Sequence, residues 1–69
     1  MATGTVKWFN TDKGYGFIAP EGGGDDVFVH ISAVQASGLT GLSDNAKVEY
    51  EVQVDERRGK SSAVNLTVL

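Results

Sequence analysis

The sequence predicts a small all-β domain that folds as a closed or nearly closed antiparallel barrel of five strands. Its 69 residues are enough for one domain and too few for two, so we expect residues 1–69 to form a single domain. Nine glycines and one proline indicate many turns. Five short apolar segments and no long helical pattern favour strands. Closing the sheet removes exposed strand edges, and a five-stranded barrel of another topology, such as an SH3-like one, is the alternative.

The first three strands are predicted in the first half of the chain. They cover about residues 4–10, 15–19 and 26–31. A turn that ends at Gly14 separates the first two. The second strand stops at Pro20, because proline has no N–H to donate to a strand ladder. The glycine-rich stretch at 21–25 is predicted to be a flexible hairpin loop.

The second half of the chain is predicted to contain one long connection and two strands. Residues 32–45 form the connection, and Ser32 is predicted to cap a short helical turn within it. The fourth strand, at about 47–54, shows the clearest alternation of apolar and polar residues. Its predicted buried face consists of Val48, Tyr50, Val52 and Val54. The last strand covers about 61–68.

Side-chain alternation sorts aliphatic and aromatic residues to opposite faces of the second and third strands. Tyr15 and Phe17 share one face of the second strand, and Ile18 points to the other. Phe28 and His30 share one face of the third strand, with aliphatic residues opposite. The predicted core consists of Val6, Ile18, Val27, Val29, Val34, Val48, Val52, Val64 and Leu66. Because these residues fill a barrel this small, the rings are expected on its surface, where exposed aromatic area marks a binding site.

In the first strand, strict alternation and the predicted core disagree about which face Trp8 occupies. Strict alternation places Trp8 on the same face as Val6, which is a predicted core residue. A β-bulge or a strong bend near residues 7–10 would break this phase and turn Trp8 outward.

The exposed rings predict a platform on which unpaired bases stack, because every base has a π-face. The platform consists of Trp8, Tyr15, Phe17, Phe28 and His30. Lys7 and Lys13 flank it and are predicted to contact phosphates, although solvated surface lysines would give the same pattern. Asn10 and Gln35 are candidates for hydrogen bonds to base edges, or are structural. Because duplex bases already stack on each other, the predicted ligand is single-stranded.

Three other interpretations of the rings stay open at this point. They are ordinary packing residues of a β domain, the binding surface of a module for a peptide or an oligosaccharide, or the interface of a dimer. We expect a monomer.

Composition excludes several classes of function. The net charge of −3 argues against strong electrostatic capture of nucleic acid, and it confines any basic footprint to the two lysines or to the turn at 57–60. The absence of cysteine excludes a disulfide framework and a cysteine-based zinc site. With one histidine and no credible catalytic set, we expect no enzyme activity, no metal and no cofactor. Without a leader or a long apolar run, we expect a soluble, cytoplasmic protein.

Two segments carry a resemblance to a known family, the cold-shock domain. Its first ribonucleoprotein motif resembles Lys13-Gly14-Tyr15-Gly16-Phe17-Ile18, and its second resembles Val27-Phe28-Val29-His30-Ile31. The opening at 4–10 and the stretch at 26–34 are also similar, so the likeness covers essentially the whole chain. Either motif alone is a weak signal, but the two in this order and spacing are highly specific.

The resemblance implies an OB-fold barrel that binds single-stranded RNA and DNA with little sequence preference. It also implies a cytoplasmic RNA chaperone that melts unwanted secondary structure without ATP, in support of transcription and translation at low temperature or under stress. The contact residues carried over by motif position are Lys7, Trp8, Asn10, Lys13, Tyr15, Phe17, Phe28 and His30, with Asp25 where the family often contacts a base edge.

The chain departs from the family pattern at three positions. Tyr15 stands where phenylalanine is usual, and a tyrosine ring still stacks. Ile31 and Leu39 stand where aromatic residues are common, which removes two stacking positions and predicts a smaller site or weaker binding.

Overall fold

The computed structural model describes residues 2–55, 57 and 59–69, and these form a closed barrel of five strands with one short helix. The elements are β1 (Ala2–Asn10), β2 (Tyr15–Pro20), β3 (Val27–His30), α1 (Ile31–Ala36), β4 (Lys47–Asp55) and β5 (Lys60–Val68). Around the barrel the strands follow the order β1-β2-β3-β5-β4, and β4 pairs with β1 to close it. The predicted five-stranded barrel is therefore confirmed.

The barrel is mixed, which corrects the prediction of a wholly antiparallel sheet. β1 pairs antiparallel with β2 and with β4, as do β2 with β3 and β4 with β5. β3 and β5 are parallel, and they meet where Phe28 lies beside Ser62. Five strands in a closed ring cannot alternate in direction all the way round. At least one neighbouring pair must therefore run in the same direction, and here that pair is β3 and β5.

The core is formed mainly by the aliphatic residues that alternation predicts. The buried hydrophobic residues of the described chain are Val6, Ile18, Val27, Val29, Val34, Val48, Tyr50, Ala63 and Leu66. Val34 is the buried residue of α1, and its side chain joins the core. The helix itself contacts β3 and β5. Burying this surface is the main stabilising contribution to so small a domain.

The prediction for the second half of β4 is wrong. Val52 and Val54 are 48% and 60% exposed, although they continue the face on which Val48 and Tyr50 are fully buried. The reason lies in the neighbouring strand, because β1 pairs with β4 only between residues 47 and 50. Beyond that point β4 runs on with β5 as its hydrogen-bonded neighbour, and its side chains no longer have β1 beside them.

The prediction that Val64 lies in the core is also wrong, because β5 contains a bulge. Glu49 lies opposite Thr67 and Glu51 lies opposite Val64, so three steps along β5 match two along β4. Asn65, at φ +52°, lies within this irregular stretch. The extra residue inverts the alternation, so Ala63 and Leu66 are buried while Val64 is only half-buried.

The helix begins differently from the prediction. Its N-cap is His30 rather than Ser32, since the Ser32 backbone N–H donates to His30 Nδ1 at 3.1 Å. Ser32 lies in the first turn of α1. At the other end, the Ser37 hydroxyl donates to the Ala33 carbonyl at 2.8 Å and accepts from the Leu66 N–H at 2.8 Å. This one hydroxyl therefore joins the end of α1 to β5. No helix in the described part of the chain is long and apolar enough to cross a membrane.

Candidate nucleic-acid interface

Five aromatic side chains from three neighbouring strands share the outer face of the barrel, and we call this set the ring face. It consists of Trp8 on β1, Tyr15 and Phe17 on β2, and Phe28 and His30 on β3. Strand register brings them together, because Phe17 lies between Trp8 and Phe28 across the sheet, and Tyr15 lies opposite His30. Trp8 is 39% exposed, His30 is exposed and the other three are half-buried. The alternate residues Ile18, Val27 and Val29 are buried on the opposite face, as predicted.

The rings contact each other in a continuous surface. Trp8 meets Tyr15 and Phe17 edge-on, with centroids 5.6 and 5.4 Å apart. Phe28 lies 5.8 Å from Tyr15, with an angle of 26° between the ring planes, and 5.8 Å from Phe17 at 72°. The His30 ring extends the surface beyond Phe28, with the two ring centroids 6.4 Å apart. Because each ring is braced by its neighbours, little side-chain entropy remains to be lost when a flat ligand stacks on the surface.

The exposure of Trp8 depends on a bulge in β1, which resolves the conflict that the sequence leaves open. Val6 pairs with Ile18 and Trp8 pairs with the next residue, Phe17, so Lys7 is the extra residue between them. This shift allows Val6 to be fully buried while Trp8 faces solvent.

Gly16 permits the close approach of β1 to β2 at the ring face. A Cβ atom on this residue would lie 2.7 and 2.8 Å from Phe9 Cδ2 and Cα, and closer still to the Trp8 carbonyl oxygen. Every other amino acid would force the two strands apart at this point.

The two flanking lysines are in different environments. Lys7 Nζ lies 3.1 Å from Asp26 Oδ2, in an ion pair whose side chains are 53% and 38% exposed. Lys13 is exposed, and no hydrogen bond or ion pair of its ammonium group occurs within the described residues. The Lys13 ammonium group can therefore contact a phosphate without breaking an ion pair, whereas Lys7 already has an anionic partner.

The predicted hydrogen-bonding residues are used partly within the protein. Asn10 Oδ1 accepts from the backbone N–H groups of Asp12 at 2.9 Å and Lys13 at 3.0 Å, which fixes the turn after β1. His30 Nδ1 accepts from the Ser32 N–H, so in the neutral imidazole the proton is on Nε2, which remains a hydrogen-bond donor. Gln35 is exposed on α1.

A pocket of about 390 Å³ adjoins the ring face at the start of β3. It is lined by Phe17, Asp25, Asp26, Val27, Phe28, Val52, Gly59 and Ser61. Its size suits one nucleotide or another small flat group. The sequence predicts Phe17, Phe28 and Asp25 as site residues, but it does not indicate that β4 and β5 contribute to the pocket. The only local signal for these is that Val52 continues an apolar pattern, which predicts a core position.

The two positions where the family commonly has aromatic residues do not extend the ring face. Ile31 and Leu39 are half-buried and pack against the core. Among the described residues, no three histidine, aspartate or glutamate side chains cluster to hold a metal ion. The Arg57–Gly59 turn is described only in part, since Arg58 lies outside the described residues.

Comparisons with known proteins agree with this geometry. A family model described as the 'Cold-shock' DNA-binding domain matches residues 2–69. A probable cold shock protein of Sinorhizobium fredii is 61% identical over 66 residues, which is 96% of each chain. The major cold shock protein of Micrococcus luteus is 56% identical over 69 residues, the full length of both. A cold shock protein of Rhizobium meliloti is 54% identical over 66 residues, again 96% of each chain.

Proposed function

Because this chain belongs to the cold-shock domain family, whose members bind nucleic acid and are not enzymes, we propose that it binds single-stranded RNA and DNA by stacking bases on the ring face. We propose further that it acts in the cytoplasm as a monomeric, ATP-independent RNA chaperone in the stress response. The contact residues of this proposal are those of the ring face with Lys7, Asn10, Lys13 and Asp25.

The outward orientation of the rings carries this proposal. Phe17 and Phe28 occupy the outer face while Ile18 and Val29 fill the interior, so the rings are not needed to build the core. A base stacked on an aromatic side chain contributes about 1–3 kcal/mol. The bases of a duplex already have stacking partners, so the ring face favours unpaired strands.

Charge has a smaller share in the proposed binding than stacking. The chain has a net charge of −3, and two lysines lie at the ring face. If about two to four phosphates are neutralised, the logarithm of the binding constant falls with the logarithm of salt concentration with a slope of roughly −1.5 to −3. A slope steeper than about −5 would show that phosphates, and not bases, dominate the affinity.

The chaperone activity follows from this selectivity alone. A protein that binds only the unpaired form of an RNA shifts the equilibrium toward that form by mass action. The shift is limited by the difference between the affinities for the two forms, and it requires no energy source.

The experiment is a fluorescence titration with Trp8, the only tryptophan of the chain, as the reporter. We expect a short oligo-thymidine to quench its emission, because bases stack on or beside the indole. A duplex of the same length is the control, and it should quench the emission far less. No quenching by the single strand at tens of micromolar would contradict the proposal and favour a peptide or oligosaccharide ligand.

A further inference from the structure

One nitrogen atom of His30 connects the ring face to the start of α1. The His30 ring belongs to the ring face and lies beside Phe28. Its Nδ1 atom accepts a hydrogen bond from the Ser32 backbone N–H at 3.1 Å, which caps the helix. The Ser32 hydroxyl oxygen lies 2.8 Å from the same nitrogen. Ser32 therefore holds one ring of the proposed binding surface through two contacts to a single atom.

The backbone contact decides which nitrogen of the neutral imidazole carries the proton. A backbone N–H can only donate, so Nδ1 presents its lone pair and the proton is on Nε2. A hydroxyl can donate or accept, so the Ser32 side chain alone would permit either tautomer. Once Nδ1 is unprotonated, the hydroxyl must donate to it as well, because two lone pairs at 2.8 Å would repel each other. Both groups of Ser32 thus stabilise the same tautomer.

The same contacts restrict the rotation of an exposed side chain. His30 is exposed, and its centroid separation from Phe28 is the longest of the ring contacts in the ring face. Packing against other rings therefore restrains His30 less than it restrains Trp8, Tyr15 or Phe17. The hydrogen bonds to Nδ1 supply a restraint that packing does not. A ring that is already held in place loses less entropy when a base stacks on it.

We propose that Ser32 is a positioning residue of the ring face, which acts through His30 by fixing the plane and the tautomer of its ring. The inference rests on the proposed function and deepens it, because it extends the binding machinery from three strands to the first turn of α1. Within the described part of the chain Nε2 has no hydrogen-bond partner, so its N–H is presented to a ligand in a fixed direction.

The experiment measures oligo-thymidine affinity by Trp8 fluorescence for variants of the full chain. Ser32→Ala removes the hydroxyl and keeps the backbone N–H, whereas Ser32→Thr retains a hydroxyl. Ser43→Ala is the matched control, because Ser43 is exposed and its hydroxyl has no hydrogen bond among the described residues. His30→Phe keeps a ring but removes Nδ1, and together with Ser32→Ala it completes a double-mutant cycle.

We expect Ser32→Ala to weaken binding by about 2- to 10-fold, the equivalent of one neutral hydrogen bond. Ser32→Thr and Ser43→Ala should bind like the unaltered chain. In the His30→Phe background Ser32→Ala should have no further effect, because the atom through which Ser32 acts is gone. Circular dichroism of each variant verifies that the fold is retained, as expected for changes at exposed side chains.

Nitrogen NMR of the imidazole gives a second measurement that does not depend on binding. At a pH of about 8, where an ordinary histidine is neutral, the proton should be on Nε2. The Nδ1 resonance should move in Ser32→Ala, since this nitrogen loses one donor, and return in Ser32→Thr. A serine that only supported the helix would leave this resonance in place when its hydroxyl is removed.

Three results would overturn the inference. These are a neutral ring protonated on Nδ1, an effect of Ser32→Ala on affinity no larger than that of Ser43→Ala, and an effect that persists in the His30→Phe background. The proposed function survives each of them as long as the unaltered chain binds oligo-thymidine in preference to duplex. If the unaltered chain does not bind, the proposed function fails and the inference fails with it.

Discussion

Two adjacent residues of β3 allow the binding role of the rings to be separated from the packing role of the core. Phe28 lies on the outer face, half-buried, with rings of Tyr15, Phe17 and His30 within 6.4 Å. Val29 points inward and is fully buried. We predict that Phe28→Ala weakens binding and leaves the fold intact, whereas Val29→Ala destabilises the fold and leaves the affinity of the folded fraction nearly unchanged.

The magnitudes follow from these two environments. Loss of one stacking ring costs about 1–3 kcal/mol of binding free energy, which is a reduction in affinity of about 5- to 140-fold. Val29→Ala removes two buried methyl groups and leaves a small cavity, at a cost of about 2 kcal/mol. A domain of 69 residues has a free energy of unfolding of only about 3–10 kcal/mol, so this is a large share of its stability. The melting temperature should fall by about 8–16 °C.

Both variants are tested by the same pair of assays, thermal unfolding followed by circular dichroism and titration with oligo-thymidine followed by Trp8 fluorescence. The titration is done well below the lower melting temperature, so that both proteins are folded. The reasoning is refuted if Phe28→Ala leaves no folded fraction, which would make this ring part of the core. It is equally refuted if Phe28→Ala binds as tightly as the unaltered chain.

Three further changes test individual contacts. Gly16→Ala should lower the free energy of unfolding by about 1–3 kcal/mol, because its Cβ overlaps β1, whereas Gly22→Ala, with nothing within 4 Å, should have little effect in the same denaturant titration. Ser37→Ala should cost about 1–3 kcal/mol and accelerate hydrogen exchange of the Leu66 amide, which loses its acceptor; unchanged exchange would contradict this. Tyr50→Phe should raise the free energy of unfolding by about 1 kcal/mol, because the buried hydroxyl has no partner among the described residues. Burial also raises the pKa of Tyr50, so the folded state keeps this proton longer than the unfolded state, and stability should fall as the pH rises above about 10 in the unaltered chain and less so in the variant.

Side-chain alternation was sufficient to predict the ring face. In β2 and β3 the apolar residues of both faces are close together in sequence, so the division into rings and aliphatic residues follows directly from the period of two. The sequence alone does not show the bulge at Lys7, but burying Val6 while exposing Trp8 requires a break in the regular strand, and the register of β1 contains it. A local contradiction in the sequence thus indicated a local irregularity in the structure.

Alternation failed where the deciding partner is distant in the sequence. Val52 and Val54 keep the apolar pattern of β4, but their burial depends on how far β1 extends alongside, which the sequence of β4 does not contain. The bulge at Asn65 replaced Val64 by Ala63 in the core without any glycine or proline to indicate it. The ion pair of Lys7 joins residues 19 positions apart and was not predictable for the same reason.

The parallel contact between β3 and β5 affects the order in which the barrel can be completed during protein synthesis. β1, β2 and β3 are antiparallel neighbours in sequence and emerge first from a ribosome, with every ring of the binding surface already present. The barrel cannot close around their inner valines and isoleucine until the strand beginning at Lys60 has been made, because β5 lies between β3 and β4. A nascent chain therefore carries an incompletely covered apolar surface until its last ten residues, 60–69, have been added and can close the barrel.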